Sequence, residues 1–395
     1  MLSWLAPIIV FGLVVFVHEL GHFIAAKLTG VYAPRFSIGF GPALLKKRIG
    51  ETEYILAALP LGGYVRMASR EDESTAFLEG GSENSATRIA NPKDAFDPNA
   101  MIPFGPKPIP ESRWFESKPL VARLFIMLAG VTMNALLAYL IYAGLLLHSG
   151  LPTPIPVAAV VTPGKPAALA GIQAGDSIAT LNGQPLQRWE MLLDTIGASA
   201  GRRLELGIVR KGQPLHVDVT PAAEMVPDPR TGVRRSLGRI GMVATEGFTP
   251  ISVGQAFGEA WNLTVDNGSK IFAALGALVH GVGVSDLGGP IAIAQVSVQA
   301  AQSGVETLLL LIALISINVA VFNLLPIPIL DGGQILLNLA ETIKGSAFST
   351  QTRERILKGG LLIIGLLFVT VMFNDISRNM QNIVRLLGRL FGRSA

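Results

Sequence analysis

Two histidines four residues apart, His18 and His22, bracket Glu19 inside an apolar run near the N-terminus. On a helix, positions i and i+4 share a face, so both imidazoles can reach one metal ion with Glu19 beside them. A neutral imidazole suits zinc, a third protein ligand usually completes such a site, and the Glu19 carboxylate can take a proton from water. The pattern therefore predicts zinc-dependent hydrolysis. Titratable groups are costly in a segment this apolar, and their presence there points to function.

The chain around the motif has the composition of a membrane protein. Half of the 395 residues are hydrophobic, 15% are charged and the mean hydropathy is +0.48, too apolar for a soluble domain of this size. The net charge is +4, yet Lys and Arg are scattered without a basic stripe or aromatic platform, which argues against nucleic acid as a partner. Basic loops at the ends of apolar segments account for the charge. With no cysteine, a zinc site must use His and carboxylate.

Residues 1–30 read as a retained transmembrane helix, because the start lacks the Lys or Arg of a signal peptide and the run is about as long as a span. Lys27, Arg35 and Lys46-Lys47-Arg48 follow, which puts the end of this helix in the cytoplasm and the N-terminus outside. Residues 31–68 alternate short apolar runs with Gly and Pro and read as short β-hairpins. Residues 69–118 read as a partly disordered cytoplasmic insertion, extended from Pro103 to Pro110. Residues 119–148 are the second span. Asn134 lies in its middle, where an amide either bonds a neighbouring helix or supports the site.

Residues 150–247 hold short strands and an amphipathic helix from Trp189 to Ile196, enough for one small domain on the outer side. Its stretch from Ala222 to Ser236 reads as a flexible linker. Residues 250–305 read as amphipathic helices, with Ala256 to Val284, which contains His280, either lying on the membrane or spanning it poorly. Residues 306–333 are the third span, ending in Asn323-Leu324-Leu325-Pro326-Ile327-Pro328-Ile329-Leu330-Asp331. Prolines two apart cannot sit in an unbroken helix, so this end is expected to be unwound beside a protein cavity, with Asp331 as the third metal ligand. A cytoplasmic loop (334–358), a fourth span (359–375) and an outer tail (376–395) complete the reading.

The stretch from Pro166 to Gly183, with Gly171-Ile172-Gln173-Ala174-Gly175-Asp176, resembles the loop and strand of PDZ domains. Together with His18-Glu19-x-x-His22, the Asn323 to Gly332 motif and the hairpin Gly62-Gly63-Tyr64-Val65, it resembles the site-2 protease family of intramembrane zinc metalloproteases. The likeness is to the bacterial branch that includes the regulator of sigma-E protease, whose enterobacterial members carry two PDZ domains where this chain has room for one.

The resemblance implies a polytopic α-helical membrane protein of about four transmembrane helices, with a membrane-associated β-hairpin region and one inserted extracytoplasmic PDZ domain. It implies Zn2+ held by His18, His22 and Asp331, Glu19 as general base, and Asn323 supporting the substrate or transition state. The strand from Leu61 to Met67, with Gly62, Gly63, Tyr64 and Val65, would hold the unwinding substrate. Implied substrates are single-pass membrane proteins, such as anti-sigma factors or remnant signal peptides, first cut by a site-1 protease. The implied location is the bacterial cytoplasmic (inner) membrane, in contact with membrane lipid, with the PDZ domain outside and the active site toward the cytoplasm.

Two other functions compete. A PDZ scaffold with a structural zinc site would close the metal with four protein ligands and have no use for Glu19. A metal transporter would carry paired repeats, which the sequence lacks.

Overall fold

The computed structural model describes residues 3–69, 110–186, 188–227, 234–279 and 288–390. Most of the expected 69–118 insertion, including Pro103 to residue 109, lies outside the described residues, as does His280. The chain forms two compact units, one of residues 1–145 with 257–395 and one of Leu146–Ala256.

The first unit opens with α1 (Ala6–Leu28), which Pro7 can start because a first-turn residue has no helical N–H bond to lose. The helix stops where Thr29 Oγ1 donates back to Ala25 O at 2.8 Å and Gly30 takes φ +72°. The hairpin region is built from two long strands, β1 (Arg35–Ile49) and β2 (Thr52–Arg66), and not from several short hairpins. These strands meet more than once. Ala43 to Ile49 run against Ala57 to Thr52, Arg35 to Ile38 lie beside Glu53 to Leu56, and Gly63 to Arg66 run against Ile38 to Arg35. Among the described residues, the lap from Gly63 to Arg66 is thereby an edge of the sheet. Gly39 and Gly41, at φ +90° and +87°, allow the bend that makes the laps possible.

Phe36, Ile38, Tyr54 and Val65 of the sheet pack on Phe16, Leu20 and Phe23 of α1. Glu51, in the turn between the strands, accepts from Lys27 Nζ at 2.6 Å and from two Arg113 nitrogens at 2.8 and 2.9 Å. This ties the turn to the end of α1. Next comes α2 (Leu120–Ser149). It crosses α1 at backbone contact, since a Cβ on Gly21 would lie 2.4 Å from Ala129 O.

The second unit contains β3 (Leu151–Val161), α3 (Pro166–Leu169), β4 (Ser177–Leu181), β5 (Gln184–Pro185), α4 (Trp189–Ala198), β6 (Leu204–Arg210), β7 (Gln213–Val219), β8 (Ala222–Pro227), β9 (Arg234–Arg239) and β10 (Met242–Thr249). Its main sheet has the order β10-β3-β4-β6-β7, with β5 beside β4. Ile172, Ile178, Leu192, Leu206 and Ile208 form the core under α4. The supposed flexible linker is a ribbon over its described residues, with β8 and β9 paired from Ala222 with Arg239 to Pro227 with Arg234. Packing on α4 explains this, because Gly238 approaches so closely that a Cβ would lie 2.1 Å from Ile196 O.

Asp176, from the Gly-Asp of the PDZ-like stretch, is buried and accepts Arg210 Nε and Nη2, each at 2.7 Å, and Gln173 N at 2.7 Å. The Arg210 guanidinium holds the carboxyl below its usual range against the opposing pull of burial. A depressed folded pKa stabilises above the unfolded value of about 3.9, and the effect is lost as pH falls through the folded value. Arg210→Met is therefore expected to lower the thermal midpoint of this unit more at pH 7 than at pH 3. Equal losses at both pH values would leave Arg210 only a packing role.

Returning to the first unit, α5 (Val253–Val279) and α6 (Pro290–Ser303) occupy the region read as amphipathic helices. The start of α6 is capped from a distance: Asp375 accepts from Gly289 N, Ile291 N and Ala292 N at 3.0, 2.9 and 3.2 Å. Then follow α7 (Val305–Asn323), α8 (Asp331–Lys344) and α9 (Thr350–Leu390).

Two boundaries are corrected here. The 334–358 loop is helical on both sides of residues 345–349, and the helix that carries the fourth span starts at Thr350 and runs on through the supposed tail to Leu390. No proline interrupts 350–390, and Glu341 gathers Phe348 N and Arg353 Nε at 2.7 and 2.9 Å, so the short turn holds the two helices together. Among the described residues, four helices are long and apolar enough to cross a membrane: Ser3–Leu28, Leu120–Ser149, Val305–Asn323 and Gln351–Arg378.

Candidate metal centre

One turn of α1 separates His18 and His22, and both side chains are buried. Opposite them the chain leaves α7, passes Pro326 and Pro328, and re-enters helix at Asp331. Gly332 and Gly333 let this loop wrap the first turn of α8, since a Cβ on either would lie 2.3 Å from Leu324 O or 2.1 Å from Ile327 O. The wrap points Asp331 at the histidines. Its Oδ2 lies 3.2 Å from His18 Nε2 and 3.4 Å from His22 Nε2, and the two ring nitrogens are 3.2 Å apart.

The surroundings orient these groups. His22 Nδ1 donates to Ile126 O at 2.8 Å; a carbonyl only accepts, so the ring proton is on Nδ1 and the Nε2 lone pair faces the cluster. His18 has Asn134 Nδ2 3.4 Å from Nδ1 and Asn323 Nδ2 3.3 Å from Nε2. Gly63 of the edge lap sits against α1, where a Cβ would lie 3.3 Å from Glu19 Cγ, and the Val65 N–H is turned to the Glu19 carboxylate. This edge, unpaired among the described residues, therefore faces Glu19. Gly62, at φ +118°, lies under Phe40, whose ring stacks on Tyr64 at 6.1 Å.

A family model described as peptidase family M50 matches residues 6–367. The zinc metalloprotease RasP of Bacillus licheniformis is 32% identical over 421 aligned positions, which cover 95% of this chain and 98% of that protein. The regulator of sigma-W protease RasP of Bacillus subtilis is 30% identical with the same coverage. The chain belongs to peptidase family M50. It is a zinc metalloprotease of the site-2 type and an integral membrane protein. Among solved structures, the match to the PDZ domain of an SdrC-like protein from Listeria monocytogenes covers 22% of this chain and 85% of that one at 20% identity, with a TM-score of 0.18.

The residues of this family member fit the metal. Ligand atoms held at about 2.0–2.1 Å by a tetrahedral zinc lie about 3.3 Å from one another, and the three separations here are 3.2, 3.2 and 3.4 Å. Asp331 Oδ2 is buried without a well-formed hydrogen bond among the described residues, which would be costly unless a cation took its charge. Among the described residues, His18, His22 and Asp331 are the group that could hold a metal ion.

Of the other expected site residues, Asn323, Gly63 and Val65 come to the cluster or to Glu19, whereas Gly62 and Tyr64 pack around Phe40. Sequence reasoning missed Gly130 on α2. A Cβ there would lie 2.4 Å from His22 Nε2 and 2.8 Å from His18 Cε1, so its hydrogen is one wall of the site. The available signal was small: a glycine four residues before Asn134 in an otherwise apolar span.

Proposed function

We propose that this metalloprotease hydrolyses a peptide bond within or near the transmembrane segment of single-pass membrane proteins. The substrates are of the anti-sigma-factor or remnant-signal-peptide kind, delivered after a site-1 protease has removed the outer domain. The sigma-W regulator among the relatives supports that substrate class. The observation that carries the reading is the convergence of Asp331 Oδ2 on His18 and His22 at 3.2 and 3.4 Å among helices long and apolar enough to cross a membrane.

His18, His22 and Asp331 would hold zinc, which supplies Lewis-acid polarisation and lowers the pKa of a water. Glu19 takes the water proton as its oxygen bonds to the carbonyl carbon, then gives that proton to the leaving amine as the C–N bond breaks. Asn323 donates its amide beside the reacting carbonyl. A bond inside a helix is shielded until its turn opens, and opened backbone in lipid costs several kcal/mol per group unless paired. The Gly63 to Arg66 edge supplies that pairing by strand addition next to Glu19.

The second unit is read as a PDZ domain that docks or gates substrates outside the membrane. Its groove of about 610 Å3 runs along α4 and is lined by Trp189, Leu193, Ile196, Leu237, Ile240 and Met242. The basic residues Lys27, Arg35 and Lys46-Lys47-Arg48 support a cytoplasmic site in the bacterial inner membrane.

The test uses purified full-length protein in vesicles with a single-pass substrate whose span carries or lacks a Gly-Pro pair. Mass spectrometry should place the cut within or beside the span, the weakened helix should be cut at least about tenfold faster, and chelation should stop cleavage until zinc returns. Cuts confined to soluble regions, or chelator-resistant cleavage, would remove the reading. Leu151 and Thr249 are strand partners, so the second unit is entered and left at adjacent points. Joining Gly150 to Pro250 should accordingly keep cleavage of a short substrate while loosening discrimination against large outer domains. A folded, zinc-loaded but inert deletion would show that the unit is needed for the chemistry.

A further inference from the structure

Asn134 is fully buried at the middle of α2, and its Oδ1 has no hydrogen-bond partner among the described residues. Its own carbonyl accepts Ser316 Oγ from α7 at 2.8 Å, so two helices fix the residue in place. The side-chain amide lies 3.4 Å from His18 Nδ1. An amide can present either its nitrogen or its oxygen to the same point by a half-turn, and the hydrogen-bond network decides which.

With nitrogen toward the ring, the amide donates to Nδ1 and the proton of a neutral His18 must sit on Nε2. That nitrogen is the one 3.2 Å from Asp331 Oδ2 and from His22 Nε2, and a proton there occupies the lone pair a metal needs. With oxygen toward the ring, Oδ1 accepts Nδ1–H, the orphaned oxygen gains a donor, and Nε2 is free. We infer that Asn134 is a positioning residue that locks His18 in the Nδ1–H tautomer, as Ile126 O locks His22. Gly130, one turn earlier on the same face of α2, leaves room for both rings. In this arrangement α1 supplies the imidazoles and α2 sets which nitrogen of each is available. The inference rests on the zinc-site reading above.

The experiment measures zinc affinity of the full-length protein by chelator competition, for wild type and for Asn134→Asp, Asn134→Leu and His22→Ala. Asn134→Leu, which removes the acceptor, should weaken zinc about 10- to 100-fold, while Asn134→Asp, which keeps one, should stay within about threefold of wild type. A packing role would not separate the two variants. Wild-type affinity in Asn134→Leu, or an Asn134→Asp as weak as Asn134→Leu, would overturn the inference and leave the ligand set standing. Undiminished affinity in His22→Ala would instead overturn the ligand set, and the inference with it. Should Asn134→Leu fail to fold, 15N-labelled histidine in the zinc-free wild type decides: a proton on His18 Nδ1 supports the assignment, and one on Nε2 overturns it.

Discussion

Glu19→Gln is expected to lower cleavage about a hundred- to ten-thousandfold while zinc stays bound near one per chain, because the carboxamide keeps the shape of the side chain but cannot accept a proton. The expectation rests on where Glu19 stands. It follows His18 by one residue, so its direction from α1 differs from that of the two imidazoles, and it is not among the three side chains whose ligand atoms lie within 4.8 Å of one another. It lies instead against Gly63, under the open strand edge where an extended peptide would run. His22→Ala and Asp331→Ala should behave differently and lose both metal and activity, since each removes a ligand atom from the cluster. Metal analysis beside a single-turnover assay separates these classes. Normal turnover by Glu19→Gln would remove the general base from the mechanism, and loss of its zinc would make Glu19 a ligand.

What the sequence disclosed follows from how local each signal is. The i, i+4 spacing of His18 and His22 needs only a helix to become a face, and Pro326 and Pro328 need only their fixed backbone to end one, so both were readable without any partner. Asp331 could be chosen because an unwound end beside a span has few other carboxylates to offer. The failures depend on distant neighbours. Ala222 to Ser236 looked like a linker from its Pro and Arg content, but Gly238 meets the carbonyl of Ile196, and that contact turns the segment into a ribbon. Residues 334–358 looked like a charged loop, but the Glu341 carboxylate gathers Phe348 N and Arg353 across a turn of a few residues and the helices resume. Asp375 lies at the end of the expected fourth span, and its service to the first turn of α6, 83 to 86 residues away, has no local signature. The hairpin was legible as strand, while its laps, and with them the edge that faces Glu19, were set by Gly39, Gly41 and the packing on α1.

Gly130→Ala is expected to weaken zinc by about 100-fold or more and to abolish cleavage with the fold intact, although alanine is the better helix former. The added Cβ would fall 2.4 Å from His22 Nε2, 2.8 Å from His22 Cε1 and 2.8 Å from His18 Cε1, all inside contact distance, so something must move. The imidazoles have little room to retreat: His22 is tied to Ile126 O on α2 itself, and α1 cannot slide because Gly21 already touches Ala129 O. Either the helices part at the crossing or the His22 ring swings away from Asp331, and each breaks the spacing of about 3.3 Å that a tetrahedral zinc requires. Gly144 on the same helix is the control. It is exposed, a Cβ there meets nothing within 4 Å, and Gly144→Ala should stabilise the helix by about 0.5–1 kcal/mol without touching zinc or activity. Zinc affinity and cleavage measured on both variants would separate space at the site from helix propensity. A Gly130→Ala protein as active and as tightly metallated as its Gly144→Ala counterpart would mean that α2 does not form a wall of the metal centre.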